Sequence, residues 1–538
     1  MPDGELPSTL PALLLQMAAQ RAAHPAIVTP QETISYAELD RRSARFARAL
    51  LAAGAGKGTR IALLAPDGPF WVTAFCGALR IGALVTTVST LCAPPELAHV
   101  LENSDVQHLV TARRLLSHDY AVTLEAALPG LAGERARTLG LAAAPYLHHI
   151  WFDDANGLPW ACSIADLEDL ADASDAPSAR LLAAAEREVS PADEAVVVYT
   201  SGSTARPKAV VHRHWALARH SPELARNFAL TPGDRMMCLL PSFWLAGMSM
   251  MLQVLSVGAT LVYPASPAID DALDAIENLG VTRVNAWGDK QPQLIRAARA
   301  RGTDIAHIPD LAGFRDAEGN PLPDKIAMYG MTESFSAHSA HPLGQALPPG
   351  KEAAFGRAID GYERRVVDPD SGAELPPGEI GELQIRGPAM LSRFYKVRRS
   401  EVFTPDGFYP TRDLVSIDAD GWLYPAGRLD DMIKTRGANV SRLEVEAALL
   451  AVPGVKQAVV AGLPDAAFGK TIAAAVVPTE GTALEEHALR AALRASLSSF
   501  KIPRRIVFVD EADIPRTATG KIRLAEIANL IAGRLQKA

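Results

Sequence analysis

The sequence predicts an α/β protein, with a large N-terminal portion of βα-layered subdomains closed by a β region and a small α+β domain at the C-terminus. Three observations carry this reading. The chain has 538 residues, too many for one hydrophobic core at roughly 100 to 200 residues per domain. Short β-branched runs alternate with longer amphipathic patterns, as parallel strands do with their crossover helices. The composition then changes twice, near residue 350 and again near Gly427.

In chain order, RIALLAP (60–66) reads as a strand, PFWVTAFCGALRIG as a helix, ALVTTV as a strand, PPELAHVLENS as a helix and DVQHLVT as a strand. The rhythm resumes with EAVVVY (194–199), RMMCLL (235–240), ATLVYP (259–264) and VTRVNAW (281–287), with a helical pattern at 269–279. Residues 350–425 are turn-rich, as in GYERRVVDPDSGAELPPGEIGELQIRG, and predict hairpins. Beyond them a helix starts at Ser441, with Glu444 three residues on as a capping box. Strands follow at 455–461 and 471–478, then a helix at 484–497 and a final helix after Gly520.

Hydrophobic residues make up 48% of the chain, which excludes a disordered class. With 53 Lys and Arg against 61 Asp and Glu, the net charge of -8 offers no general attraction for nucleic acid or an anionic membrane. Cys76, Cys92, Cys162 and Cys238 lie far apart without metal-ligand spacing, so neither a zinc site nor a disulfide scaffold is expected. The opening MPDGELPS has no basic n-region, and no run of about 18 apolar residues occurs. The expectation is a cytoplasmic protein with no membrane span, working on small molecules as a monomer or homodimer.

After the strand 194–199 comes Thr200-Ser201-Gly202-Ser203-Thr204-Ala205-Arg206-Pro207-Lys208. Its hydroxyls and backbone N–H groups suit phosphate oxygens, and Lys208 adds a mobile cation. It is not a Walker A loop, because Pro207 precedes the lysine and Val210-Val211 continues as a strand rather than a helix. A polar turn between two strands would look the same. Four further segments change the balance: Tyr329-Gly330-Met331-Thr332-Glu333, Tyr409-Pro410-Thr411-Arg412-Asp413, Gly427-Arg428-Leu429-Asp430-Asp431-Met432-Ile433-Lys434 with Gly437, and Pro515-Arg516-Thr517-Ala518-Thr519-Gly520-Lys521.

Together and in this order, these segments resemble the motifs of the adenylate-forming superfamily of acyl-CoA synthetases, adenylation domains and luciferases. The resemblance spans nearly the whole chain and implies an N-terminal adenylation domain (1–427), a hinge (428–430) and a mobile C-terminal domain (431–538). It implies ATP, Mg²⁺ and coenzyme A as the molecules used. By resemblance, Tyr329 packs on adenine, Thr332 donates to the α-phosphate and Glu333 ligates Mg²⁺, a hard cation suited to carboxylate oxygen. Thr200, Ser201, Gly202, Ser203, Thr204 and Lys208 would cradle phosphates. Asp413 and Arg428 match the residues that hold the ribose hydroxyls. Asp430 matches the hinge residue, Lys521 the lysine that stabilises charge during adenylation, and Lys434 and Gly437 the face used for the coenzyme A step. Taken singly, each of these would more often be a surface ion pair or ordinary core.

Three departures from the pattern stand out. Ala205 and Ala209 replace loop glycines, Arg412 replaces the glycine of a Thr-Gly-Asp, and the segment from Glu318 reaches Tyr329 after few residues. Pro241-Ser242-Phe243-Trp244-Leu245-Ala246-Gly247 corresponds to the segment lining the acyl site, so Phe243, Trp244 and Gly247 are candidate substrate contacts. It contains no Asp to pair a substrate ammonium, which predicts an apolar fatty or aryl carboxylic acid. Met248, Met250, Met251 and Trp287 suit a core as well as a pocket. The expected reaction is AMP-forming acid–CoA ligation, with two alternatives: acyl transfer to a separate acyl carrier protein or an amine, and a non-catalytic nucleotide-binding relative.

Overall fold

The structure, a computed structural model, describes residues 7–200, 207–286, 290–315, 327–369, 371–429, 433–435, 438–466, 469–516, 522 and 524–537. Among them, two largely parallel sheets build the N-terminal portion. The larger runs Arg393–Phe394, Lys208–Arg213, Glu194–Thr200, Leu84–Thr87, Arg60–Leu64, His108–Thr111, His149–Phe152 and Cys162–Ser163. Pairing is parallel from Glu194–Thr200 onward and antiparallel on its other side, where Lys208–Arg213 returns as a hairpin. The second runs Arg283–Asn285, Arg235–Cys238, Thr260–Val262, Pro25–Val28 and Thr33–Ser35.

The strands expected from the β-branched runs are present because both faces of these sheets are covered. All four residues of Leu84–Thr87 and of His108–Thr111 are buried, the polar Thr86, Thr87, His108 and Thr111 included, as central strands of a covered parallel sheet are. The helix Pro69–Arg80 packs so closely on Tyr36–Ala52 that a Cβ on Gly77 would lie 2.9 Å from the Phe46 ring. Met248, Met250 and Met251, on the helix Leu245–Val257, are buried in the main core, as methionines usually are.

The turn-rich region forms a four-stranded antiparallel sheet of Glu363–Val367, Gly381–Arg386, Tyr409–Ile417 and Leu423–Arg428. The next strand, Ile433–Thr435, belongs to another sheet, with Ala438–Val440, Val455–Asp465, Gly469–Pro478 and Arg505–Phe508. Alternation along this C-terminal sheet builds two apolar layers. Ala474 and Val476 face the helices Arg442–Leu450 and Glu486–Leu493, while Ala473 and Ala475 face Leu524–Lys537.

At the start of Arg442–Leu450, Ser441 Oγ accepts the Glu444 N–H at 3.3 Å, so half of the expected capping box forms. The Glu444 carboxylate instead receives Lys501 Nζ at 2.7 Å, because the tertiary fold offers it a full charge. Among the described residues, no helix is long and apolar enough to cross a membrane.

Candidate active site

The strands Met328–Met331 and Ser336–Ala340 pair antiparallel, and the turn between them holds Thr332 and Glu333. Gly330 is required there, since a Cβ would lie 2.2 Å from the Ser336 carbonyl oxygen. The chain reverses through Phe335 and Ser336, with φ of 48° and 86°. That left-handed backbone is held from several sides. Ser334 Oγ donates to the Ser336 carbonyl at 2.7 Å, Tyr362 donates to the Ser334 carbonyl at 2.6 Å, and the Leu391 N–H donates to the Glu333 carbonyl at 2.7 Å.

His212 completes the clamp, its Nε2 lying 2.7 Å from the Thr332 carbonyl. Burial lowers its pKa to about 4, so at neutral pH the ring is uncharged and Nε2 carries the donated proton. Buried His220 and His338 support the same hairpin and are likewise neutral, their pKa values lowered to about 4 and about 3 by burial. A lone histidine in an apolar strand or helix carries no signal in the sequence, and these three are legible only in the fold.

Tyr329 lies edge-on to His338 and Phe355, with centroids 5.8 and 6.0 Å away, and its hydroxyl meets Asp413. Asp413 and Arg428 face each other in register across Tyr409–Ile417 and Leu423–Arg428. Arg428 Nε stands 2.9 Å from Asp413 Oδ1 as an ion pair outside hydrogen-bonding angle, while a terminal guanidinium nitrogen donates to the Thr411 carbonyl at 3.4 Å. Desolvation raises the Asp413 pKa, opposed by the charge of Arg428, the Tyr329 hydroxyl and the charge of Lys434. Lys434 Nζ approaches the Tyr329 ring, 6.0 Å from its centroid. Desolvation lowers the Lys434 pKa against the pull of Asp413.

Glu333 Oε1 accepts the Tyr409 hydroxyl at 3.3 Å. Desolvation raises its pKa, and Lys208 and Arg428 partly offset this as the nearest positive charges. A desolvated carboxylate so incompletely neutralised fits a hard divalent cation, and the residues present therefore suit Mg²⁺. Thr200 and Lys208 are cross-strand partners at the mouth of the hairpin, and Lys208 Nζ rests 5.3 Å from the Phe394 ring centroid. Ser201, Gly202, Ser203, Thr204 and Ala205 lie outside the described residues, as do Trp287, most of the short segment before Tyr329, Asp430, Gly437 and Lys521.

Phe243 is buried and Trp244 is the residue before the helix Leu245–Val257, their rings 5.2 Å apart. Gly247 packs on its own motif, since a Cβ would fall 2.3 Å from the Pro241 carbonyl oxygen. Trp244 also meets Phe500 of the C-terminal portion edge-on at 5.7 Å, so its outer face belongs to a contact between the two parts of the chain. The segment has no acidic residue of its own, but the fold brings Asp67 to it, and Asp67 Oδ1 accepts the Ser242 N–H at 2.8 Å. Desolvation raises the Asp67 pKa, with Ser242 and Lys290 opposing. A separation of 175 residues hid this partner from the sequence reading.

Comparison with known proteins gives the family. A family model described as AMP-binding enzyme matches residues 14–395, and a second, AMP-binding enzyme C-terminal domain, matches residues 444–521. The 3-hydroxybenzoate–CoA ligase of Aromatoleum sp. (strain CIB) is 30% identical, over 96% of each chain. A feruloyl-CoA synthase of Amycolatopsis sp. is 28% identical, over 92% of this chain and 93% of its own. Among solved structures, the amide bond synthetase McbA from Marinactinospora thermotolerans superimposes with a TM-score of 0.76 at 23% identity, covering 97% of this chain and 99% of that one, which is a likeness of fold.

Proposed function

The chain belongs to the AMP-binding enzyme family, and from that premise we propose that it activates an aromatic carboxylic acid with ATP and passes the acyl group to coenzyme A. In the first step a carboxylate oxygen attacks the α-phosphorus, the bond to the β-phosphate oxygen breaks, and pyrophosphate leaves as acyl-AMP forms. In the second the thiol gives up its proton to solvent, its sulfur attacks the acyl carbon, a thioester forms, and AMP leaves with the bonding electrons of the anhydride. No side-chain nucleophile is needed.

The convergence of Tyr329, Asp413, Arg428 and Lys434 around one point, with Glu333 and Lys208 alongside, carries this reading. Tyr329 offers a ring face to a purine, and the Asp413 carboxylate with the Arg428 fork suits ribose hydroxyls. Lys208 and the hydroxyl loop suit phosphate oxygens. Glu333 would hold Mg²⁺, which supplies charge neutralisation on the phosphates when bound. Lys434 presents a cation where the acyl-adenylate must sit. A metal-ligating Glu333 and a charged lysine serve no purpose in a passive nucleotide binder, which disfavours the non-catalytic alternative. The aromatic acid rests on relatives named for hydroxybenzoate and ferulate and on an acyl-lining segment bearing Phe243 and Trp244.

The test is MgATP with a panel of benzoic, hydroxybenzoic, cinnamic and fatty acids, with and without coenzyme A. AMP and pyrophosphate should appear with an aromatic acid, and a thioester should form when coenzyme A is present. ADP and orthophosphate would sink the mechanism. Pyrophosphate without any thioester would move the acceptor to a carrier protein or an amine.

A further inference from the structure

Away from Tyr329 and Lys434, the C-terminal portion touches the N-terminal portion at a second, buried polar contact. Glu96 stands in the first turn of the helix Pro94–Asn103, where its Oε2 accepts the Ala93 N–H at 3.0 Å. Lys501 Nζ donates to Glu96 Oε1 at 2.7 Å, and the Ser498 hydroxyl donates to Glu96 Oε2. The same Nζ lies 2.7 Å from Glu444 Oε1. Side-chain exposures of 11% for Glu96 and 7% each for Lys501 and Glu444 mean that water screens this triad little. Beside it, Phe500 packs against Trp244 of the acyl-lining segment.

The partners divide unequally between the two portions. Lys501, Ser498 and Glu444 all belong to the C-terminal portion, so the Lys501–Glu444 pair persists in any orientation of that domain. The bonds from Lys501 and Ser498 to Glu96 cross between the portions, and they accompany the arrangement that sets Lys434 6.0 Å from the Tyr329 ring centroid. Two orientations differ in free energy by the contacts unique to each. Removing the Glu96 charge would leave buried Lys501 with one carboxylate in place of two and Ser498 without a charged acceptor, a loss that falls on this orientation alone.

We propose that Glu96 is a positioning residue for the coenzyme A step: by receiving Lys501 and Ser498, it holds the C-terminal domain where Lys434 faces the acyl-adenylate. The inference rests on the two-step ligase reading above. Glu96 touches no reacting atom and acts through the orientation of Lys434.

Glu96→Gln keeps the shape and the acceptor for the Ala93 N–H while removing the charge that Lys501 meets, and Lys501→Arg keeps a cation for both carboxylates. In single-turnover assays, Glu96→Gln should form acyl-AMP within about twofold of the wild-type rate but pass it to coenzyme A at least about tenfold more slowly. Lys501→Arg should retain most of the transfer rate. Equal slowing of both steps, or unchanged transfer, overturns the proposal. Hydrogen exchange without substrate gives a second reading: Glu96→Gln should speed exchange at 498–501 while the sheet interior at 472–476 stays protected. Unchanged exchange at 498–501 also overturns it. A wild-type protein that makes no acyl-AMP from any acid would refute the ligase reading instead, leaving the exchange result to decide the role of Glu96.

Discussion

At Arg412 the backbone φ is 61°, a left-handed conformation that costs an L-residue roughly 1–2 kcal/mol. The family glycine is absent, yet the backbone it would serve is retained, held by the Arg412 N–H to Glu382 Oε1 at 3.0 Å and by the Leu429 N–H to the Arg412 carbonyl at 2.7 Å. Arg412→Gly should therefore gain about 0.5–1 kcal/mol once the extra backbone entropy of glycine is subtracted, seen as a higher melting temperature with acyl-AMP formation retained. Glu333 also costs the fold stability, here through its charge. Its carboxyl pKa is raised in the native state, so as pH climbs past the unfolded value near 4.3 the unfolded chain ionises there more readily than the native one. Native stability thus falls with rising pH until the folded pKa is passed, and stays lowered above it. Glu333→Gln should raise the melting temperature of the ligand-free protein at neutral pH, lose that gain below about pH 4, and slow adenylation on the order of 10²-fold. Thermal scans across pH beside pyrophosphate-release rates would check both halves.

The hairpin that carries Thr332 and Glu333 keeps its shape because its turn is clamped from outside, and the segment 241–247 is built in the same manner. The Gly247 backbone lies against the Leu240 and Pro241 carbonyls, so Gly247→Ala must push the start of the helix Leu245–Val257 outward. A loss of about 1–3 kcal/mol in stability is expected, together with a raised KM for the acid as Phe243 and Trp244 move. Trp244 itself links this helix to Phe500, about as an aromatic pair worth 0.5–1.5 kcal/mol would. Trp244→Ala should shift acid preference toward larger rings and also slow transfer to coenzyme A. Competition assays with paired acids would read the first effect and single-turnover transfer the second. An unchanged acid profile would assign Trp244 to the contact between the portions alone.

Across the whole molecule, the residues that converge around Tyr329 come from separate sheets. Tyr329 and Glu333 come from one hairpin, Asp413 and Arg428 from the antiparallel β region, and Lys434 from the C-terminal sheet. Among the described residues, the C-terminal portion brings Lys434 to the Tyr329 ring. If adenylation uses a different face of that domain, Lys521→Ala should cut acyl-AMP formation about 10²- to 10³-fold while transfer from supplied acyl-AMP survives. Lys434→Ala should spare adenylation and weaken transfer. Rapid-quench measurement of each step in both variants decides this, and parallel losses would argue against alternation.

Sequence alone determined the βα rhythm, the hairpin-built region, the small C-terminal domain and the order of five motifs, because periodicity and turn residues are local and a motif survives as a string. It also marked Asp413 and Arg428, though not that they stand opposite each other on neighbouring strands. What it could not supply were partners chosen across the fold. Asp67 reaches Ser242, Glu96 reaches Lys501, and His212 reaches the Thr332 carbonyl, each from a segment that reads locally as ordinary strand, helix or loop. Glu444 shows the limit most directly: its spacing from Ser441 predicts a cap, and the folded chain gives its carboxylate to Lys501 instead. A desolvated charge takes the strongest partner the tertiary structure brings within reach, and that choice depends on distances in space that no spacing along the chain encodes.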